Sequence, residues 1–246
     1  PRRAHRCSAL HLAHPTQPLL LPSRLTTNGA PHMAKAVIFD MDGVIVLTEH
    51  AHWLAWQAAA QRLNATLDYA TFLSCFGRVN ADCIRIMFGE HIDHAESLRI
   101  ADEKEHAFRE IIRSNVPLAP GLLPLLDNLA RANARLAVGS SAPPENVALV
   151  LDSGGIRASF QAIVDGSQVK RGKPAPDVFL QAASLLAIEP ARCAVIEDAP
   201  AGIQAAKAAG MLSVGVATTH KAHELTAAGA DVVFPTLADV PLDILA

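Results

Sequence analysis

The feature that most constrains the fold is a regular alternation of short apolar runs with longer helical patterns. The predicted strands cover residues 36–39, 135–139, 162–165, 193–196, 212–216 and 231–234. Helical patterns separate the later strands, at residues 122–132, 143–152, 176–187, 200–210 and 223–228. Because such alternation brings successive strands side by side in one direction, it predicts an α/β fold with a Rossmann-like parallel sheet and helices on both faces.

A block of helical patterns interrupts this alternation directly after the first strand. Helical spacing runs from residue 48 to 63, and weaker stretches follow at about 67–76, 80–88 and 94–113. Pro117 and the pair Pro120-Gly121 then break the chain. We therefore predict an α/β core domain of residues 33–46 and 118–246, with an inserted all-helical cap domain of residues 47–117.

Residues 1–32 differ in composition from the rest of the chain. They contain four arginines and several prolines, and the first acidic residue of the chain is Asp40. An Arg-rich leader without acidic residues is typical of an organelle transit peptide. Because Met33 stands directly before the first strand, we favour instead a disordered or non-native leader.

The composition excludes several classes of function. The chain of 246 residues has a net charge of −3 and no basic stripe, so nucleic acid is not an expected partner. No apolar run approaches the ~20 residues that a membrane helix needs. The four cysteines, Cys7, Cys75, Cys83 and Cys193, form no Cys-x-x-Cys pair, which indicates free thiols in a reducing compartment. We expect a cytoplasmic protein, as a monomer or weak dimer, that binds no membrane.

Polar residues follow three of the predicted strands. They are Asp40 and Asp42 after the first, Ser140 and Ser141 after the second, and Glu197 and Asp198 after the fourth. In a parallel sheet these ends share one edge, where open α/β sheets bind their ligands. Gly43 permits the turn that brings both acids of the first pair to one site. Lys173 lies in a loop before a helix, from which it can reach the same edge.

The charges at this edge indicate a metal site and phosphoryl transfer. Two carboxylates ~4 Å apart repel by ~4 kcal/mol at an effective dielectric near 20, and a divalent cation would relieve that repulsion. The ligands are hard oxygens, for which Mg²⁺ is the natural choice. Ser140 and Lys173 then offer donors to a phosphate. Asp40 is the candidate nucleophile, forming an aspartyl-phosphate, and Asp42 the candidate general acid and base.

These motifs resemble the haloacid dehalogenase superfamily, in the branch that carries a helical cap after strand one. The matching segments are Phe39-Asp40-Met41-Asp42-Gly43-Val44, the strand end at Ser140, the run from Gly172 to Phe179, and Val195-Ile196-Glu197-Asp198 with the following residues to Ile203. Their order and spacing fit over residues 34–234.

The resemblance implies an assignment of roles. Asp40, the backbone carbonyl of Asp42 and Asp198 would bind Mg²⁺, with Glu197 beside them. Ser140 and Lys173 would bind the phosphate, and Ser141 shares the strand end with Ser140. Asp42 argues against the dehalogenases and the phosphonate-cleaving members, which lack a second acid at that position.

Five residues of the helical block match substrate or hinge positions of this branch: Thr48, His52, Arg78, Asn80 and Lys104. The resemblance implies a hinge at Thr48 with His52 near Asp42, substrate contact by Lys104, and substrate selection by the loop of Arg78 and Asn80. Alternatives remain open: His52 as a polar residue on an amphipathic helix, Lys104 as a solvated residue of a charged helix, and a plain surface loop at 78–80.

We predict a Mg²⁺-dependent phosphatase that hydrolyses a small phosphorylated metabolite. The branch also contains β-phosphoglucomutase, in which a cap-loop arginine at the position of Asn80 helps to hold the second phosphate of the sugar. A neutral amide gives up that ionic contact, so we favour the phosphatase, although Arg78 could compensate. A catalytically silent protein that binds a phosphorylated ligand or a protein partner is the alternative from another class.

Overall fold

The sheet is the element that positions everything else. The structure is a computed structural model that describes residues 34–245, and the predicted leader at 1–32 lies outside them. The strands are β1 (Ala36–Phe39), β2 (Arg135–Gly139), β3 (Ala162–Val164), β4 (Cys193–Glu197), β5 (Leu212–Val216) and β6 (Val232–Phe234). All pair in parallel, in the order β3-β2-β1-β4-β5-β6. The predicted parallel sheet is confirmed.

Helices account for most of the remaining described residues. They are α1 (Glu49–Arg62), α2 (Tyr69–Cys75), α3 (Asn80–Phe88), α4 (His94–Ile112), α5 (Leu122–Arg131), α6 (Pro144–Ser153), α7 (Asp177–Leu186), α8 (Pro200–Ala208), α9 (Ala222–Ala227) and α10 (Leu242–Leu245). The short helix α10 and four 3₁₀ turns were not predicted, because three or four residues carry no measurable periodicity. Of the helices in residues 34–245, none combines the length and the apolar character needed to span a bilayer.

The two faces of the sheet pack against different helices, as the alternation predicts. Side chains of β1 point alternately to opposite faces. Val37 and Phe39 pack in a cluster with residues of α5 and α6. Ala36 and Ile38 pack in a second cluster with α7 and α8. The central strand is therefore buried on both faces, which explains why its sequence is a continuous apolar run.

The register of the central strands brings their polar ends together. Phe39 of β1 lies beside Val138 of β2 and Ile196 of β4. Since all three strands run in one direction, the residues that follow them meet at one edge. The backbone N–H of Asp40 continues the ladder by donating to the carbonyl of Ile196, at 3.0 Å. We call the site formed by Asp40, Ser140 and Glu197 at these strand ends the sheet edge.

Gly43 is required in the turn that follows β1. Its φ of +84° is in the left-handed region, and a Cβ at this position would lie only 1.8 Å from Oδ2 of Asp198. A side chain here would therefore displace a carboxylate of the sheet edge. The turn is closed by backbone bonds, among them Ile45 N–H to the Met41 carbonyl at 2.8 Å.

Helices α1–α4, the helical block, have an apolar cluster of their own. It includes Trp56, Phe72 and Phe88. The inner ends of α1 and α4, at Ala55 and Phe108, instead join the cluster of the sheet. Two chain segments connect the block to the sheet, and they pair through the Leu47 N–H and the Pro117 carbonyl at 2.9 Å.

Candidate active site

Lys173 is the centre of the charged groups at the sheet edge. Its Nζ lies 2.6 Å from Oδ1 of Asp40 and 2.6 Å from Oε1 of Glu197, and its side chain is fully buried. Burial opposes its charge, but the carboxylates of Asp40 and Glu197 together raise the pKa of the Lys173 amine above its ordinary value. The loop between β3 and α7 thus supplies a permanent positive charge beside Asp40.

Glu197 is held in place on both of its carboxylate oxygens. Oε1 accepts from Lys173, and Oε2 accepts the backbone N–H groups of Asp198 at 3.0 Å and Ala199 at 3.1 Å. Helix α8 leaves room for this side chain only because it has glycine at 202, where a Cβ would lie 1.7 Å from Oε1. Glu197 therefore orients Lys173, and its oxygens are less available to a metal ion than the prediction assumed.

Asp198 has the opposite character. Both of its carboxylate oxygens are buried and have no hydrogen-bond partner among the described residues. Burial, together with the charges of Glu197 and Asp40, raises the pKa of Asp198 well above its ordinary value, against the opposing effects of the nearby Thr219 side chain and Lys173. Unpartnered buried oxygens of this kind are costly, unless a cation satisfies them.

The residues present fit a hard divalent cation. One carboxylate oxygen from each of Asp40, Glu197 and Asp198 lies within 4.8 Å of the other two. Burial and the charge of Glu197 raise the pKa of Asp40 to about 7, against the opposing effect of Lys173. A cation at this place would favour the ionised form of these acids, and an all-oxygen donor set suits Mg²⁺ or a similar ion.

Asp42 makes its side-chain hydrogen bonds with the start of the helical block and not with this cluster. Its Oδ1 accepts from the Thr48 hydroxyl at 2.5 Å and lies 3.0 Å from Nε2 of His52. Burial alone would raise its pKa, but the contacts with His52 and Thr48 and the nearby Lys104 lower the pKa of Asp42 below its ordinary value. The two acids of the first motif thus have pKa values shifted in opposite directions, which suits different chemical roles.

A buried polar chain continues from Asp42 into the helical block. Nζ of Lys104 lies 2.9 Å from Nδ1 of His52 and 2.8 Å from Oε1 of Glu105. Because an ammonium only donates, Nδ1 accepts and Nε2 carries the proton that is donated to Asp42. Phe108 stacks on the imidazole, with 3.9 Å between ring centroids. The alternative of a solvated Lys104 is wrong, since its side chain is only 3% exposed.

This chain continues through two residues that were not predicted, Glu105 and Asn146. Glu105 accepts from Nδ2 of Asn80 at 2.8 Å and from Nδ2 of Asn146 at 2.6 Å. Asn146 lies on α6 and also accepts from Arg109 of α4 at 3.0 Å. No motif marks these residues, and only the packing of α4 against α6 brings them together. We call Asn80, Lys104, Glu105 and Asn146 the polar wall.

The two serines after β2 face different groups. The Ser140 hydroxyl oxygen accepts from the Ala142 N–H at 3.1 Å, which leaves its proton for a ligand. The Ser141 hydroxyl donates to the Gly77 carbonyl at 2.9 Å, so its proton is already used. Ser140 therefore suits the predicted contact with phosphate, whereas Ser141 connects the sheet edge to the loop between α2 and α3.

A small cleft of about 50 Å³ lies between the sheet edge and the helical block. Its lining includes Asp40, Asp42, Ser140, Arg78 and the polar wall residues Asn80, Lys104 and Glu105. Arg78 lies in the same loop as Gly77, and its Nε is buried without a partner among residues 34–245. Carboxylates and a buried lysine on one side, and a cationic loop on the other, can bind a phosphate ester and transfer its phosphoryl group.

The fold and this arrangement define a class of phosphoryl-transferring α/β enzymes, and comparison with known proteins identifies the family. Residues 34–210 match the family model of the haloacid dehalogenase-like hydrolases. The chain belongs to this family, and it is an enzyme of that type. The resemblance inferred from the sequence motifs is confirmed.

Individual relatives have more than one activity. A β-phosphoglucomutase of Bacillus subtilis is 36% identical over 86% of this chain and 93% of its own. The fructose-1-phosphate phosphatase YqaB of Escherichia coli is 35% identical over 73% of this chain and 95% of its own. The crystal structure of a β-phosphoglucomutase from Clostridium difficile superposes with a TM-score of 0.77 at 30% identity, over 85% of this chain and 94% of its own.

Proposed function

We propose that this enzyme is a Mg²⁺-dependent phosphatase that hydrolyses a small phosphorylated sugar, or a similar metabolite, through an aspartyl-phosphate. The observation that carries the proposal is the pairing at the sheet edge of Asp40, held by Lys173, with the unpartnered carboxylate of Asp198. This combination offers a nucleophile, a fixed positive charge and a vacant pair of oxygen ligands in one buried place.

The metal would be held by Asp40 and Asp198, with the backbone carbonyl of Asp42 that the family resemblance implies. When bound, Mg²⁺ supplies positive charge that stabilises the oxygens of the phosphoryl group. Lys173 and the Ser140 hydroxyl would bind the same group from the other side. Asp40 would then attack phosphorus with one carboxylate oxygen and form the acyl phosphate.

Asp42 would move the protons in both half-reactions. It would protonate the leaving oxygen in the first, when the adjacent phosphate dianion raises its affinity for a proton. It would then take a proton from the water that attacks the aspartyl-phosphate. The bonds from Thr48 and His52 to one oxygen of Asp42 leave the other oxygen for this work.

The charges of the polar wall favour a phosphatase over a mutase. A mutase must hold a second phosphate of the sugar while the intermediate turns around. Here the Glu105 carboxylate neutralises Lys104 at 2.8 Å, and Asn80 donates to the same carboxylate. Of the predicted cap residues, Arg78 is the cation that retains an unpartnered donor. The unpartnered donor of Arg78 could bind a second phosphate, and it is the observation that favours the mutase as the second candidate.

The test is a screen of phosphorylated metabolites with Mg²⁺ that measures phosphate release. It runs beside conversion of β-glucose 1-phosphate to glucose 6-phosphate with a bisphosphate primer. We expect phosphate release from at least one sugar phosphate and little isomerisation. Efficient isomerisation with negligible phosphate release would identify a mutase instead.

A further inference from the structure

The nucleophile is inaccessible in this arrangement, so the helical block must open for a substrate to enter. Asp40 is 3% exposed, and Asp198 and Lys173 are fully buried. The block is joined to the sheet through paired chain segments at Leu47 and Pro117, which makes that end the natural pivot. Contacts that cross between block and sheet away from this pivot must form and break in every cycle.

His220 makes one such contact on the side of the block formed by α2. It follows β5 and is buried, with Nδ1 3.0 Å from the carbonyl oxygen of Asp198 and Nε2 3.1 Å from that of Leu73. A carbonyl only accepts, so each contact is a hydrogen bond where the facing ring nitrogen carries a proton. Its ring also lies against Phe76, with 6.4 Å between centroids. One imidazole thus joins the backbone of the helical block to the backbone of the metal-site residue Asp198.

We infer that His220 is a positioning residue that fastens the helical block in its closed position over the sheet edge. It does not line the catalytic cleft. It lines a separate hollow between α2 and α8, with Leu73, Gln204 and Pro200. Loss of its side chain would therefore remove no contact with a substrate in the cleft. Any effect on catalysis would pass through the position of the block or through Asp198.

The consequence for catalysis rests on the proposed function. A sugar phosphate depends on the closed block, because Asp42 is oriented by His52 and must protonate a poor leaving group. An aryl phosphate has a good leaving group and no hydroxyl groups for the polar wall to bind. Opening of the block should therefore slow hydrolysis of the sugar phosphate far more than hydrolysis of the aryl phosphate.

The direct test measures closure without any substrate. The chain has two tryptophans, and Trp56 lines the cleft while being almost fully buried. In a Trp53→Phe background, acrylamide quenching of Trp56 reports whether the cleft is open. His220→Ala is expected to increase the quenching constant, because each lost hydrogen bond shifts the closing equilibrium by roughly three- to tenfold. His220→Gln retains one donor and should lie between the two.

His223→Ala is the matched control, since His223 is exposed on α9 three residues further on. Its quenching and its kinetics should equal those of the parent.

In the kinetic arm, His220→Ala should lose roughly tenfold in kcat/KM for the sugar phosphate and little for an aryl phosphate. Unchanged quenching in both His220 variants would overturn the inference. Equal losses in kcat/KM on the two substrates, together with a higher Mg²⁺ concentration needed by His220→Ala, would also overturn the inference. His220 would then merely support Asp198. Failure to find any substrate would count against the proposed function and leave the quenching result intact.

Discussion

The sheet edge and the polar wall face each other across the cleft but are built in different ways. At the sheet edge, Asp40 follows β1 and Glu197 is the last residue of the adjacent parallel strand β4. The register of those strands fixes their separation. The polar wall is assembled from α3, α4 and α6, and Glu105 and Asn146 are 41 residues apart in sequence. On the proposed function, phosphoryl transfer rests on groups placed by the central strands, and substrate contact rests on groups placed by helix packing.

Relatives with different activities match the chain about equally well, at 36% and 35% identity. A mutase and a phosphatase both need the nucleophile, the lysine and the metal ligands. They differ in what the other side of the cleft binds. Variants at the sheet edge should therefore affect every substrate, and variants in the polar wall should affect stability or selectivity.

The largest expected effect is that of Asp40→Asn at the sheet edge. The amide cannot form an acyl phosphate, so turnover and labelled phosphoenzyme should disappear together. Rapid-quench labelling with a radioactive substrate measures the intermediate, and phosphate release measures turnover. The fold should persist, because the amide oxygen can still accept from Lys173. Substantial phosphatase activity in this variant would show that another group is the nucleophile.

Asp42→Asn should have a smaller effect, because the nucleophile remains. Loss of general acid and base catalysis is expected to slow turnover of a sugar phosphate by ~10²–10⁴-fold. Labelled phosphoenzyme should still form from an aryl phosphate, whose leaving group needs little protonation. Stopped-flow measurement of the aryl burst distinguishes the two half-reactions. Equal losses for both kinds of ester would show that Asp42 does not act as the acid.

The sheet edge could be predicted from sequence, and the polar wall could not, for a physical reason. Short apolar runs that end in Asp40, Ser140 and Glu197 place those residues at one edge as soon as the sheet is known to be parallel. Glu105 and Asn146 are polar residues on separate amphipathic helices, where such residues are usually solvated. Their burial depends on how α4 packs on α6, and neither helix carries that information in its own pattern.

In the polar wall, Glu105→Gln should lower stability at neutral pH. Burial opposes its charge, but Lys104 and Asn146 together lower the pKa of Glu105 below its ordinary value. A lowered pKa means that the carboxylate stabilises the fold above its unfolded pKa of ~4.3, and that this contribution is lost as the pH falls through the folded pKa. The variant should lose about 1–3 kcal/mol near pH 7, and less below pH 4.

Thermal unfolding of both proteins across this pH range measures the difference. Glu110→Gln is the matched control on the same helix, because its pair with Arg113 is exposed. It should change stability by no more than ~1 kcal/mol, as exposed ion pairs do. A stability gap for Glu105→Gln that stays constant from pH 7 down to about pH 2 would contradict the assignment of a charged Glu105.

Arg78→Ala is expected to change the stability of the fold least. Its effect on function should be the most selective, because it should change KM and leave kcat nearly unchanged. Because Nε of Arg78 has no partner among the described residues, its removal should alter stability by less than ~0.5 kcal/mol. A guanidinium that binds an anionic or hydroxyl group of the substrate should instead be visible as a rise in KM of roughly tenfold or more, with kcat nearly unchanged. Arg85→Ala, on α3 and paired with Asp82, is the control and should leave KM as it is.

If the rise in KM is confined to substrates with a second phosphate, Arg78 compensates for the neutral Asn80 and the cleft accepts bisphosphates. If it extends to monophosphates, Arg78 binds the sugar or the transferred phosphate itself. An unchanged KM for every substrate would remove Arg78 from the substrate site and leave the polar wall as the sole determinant on that side of the cleft.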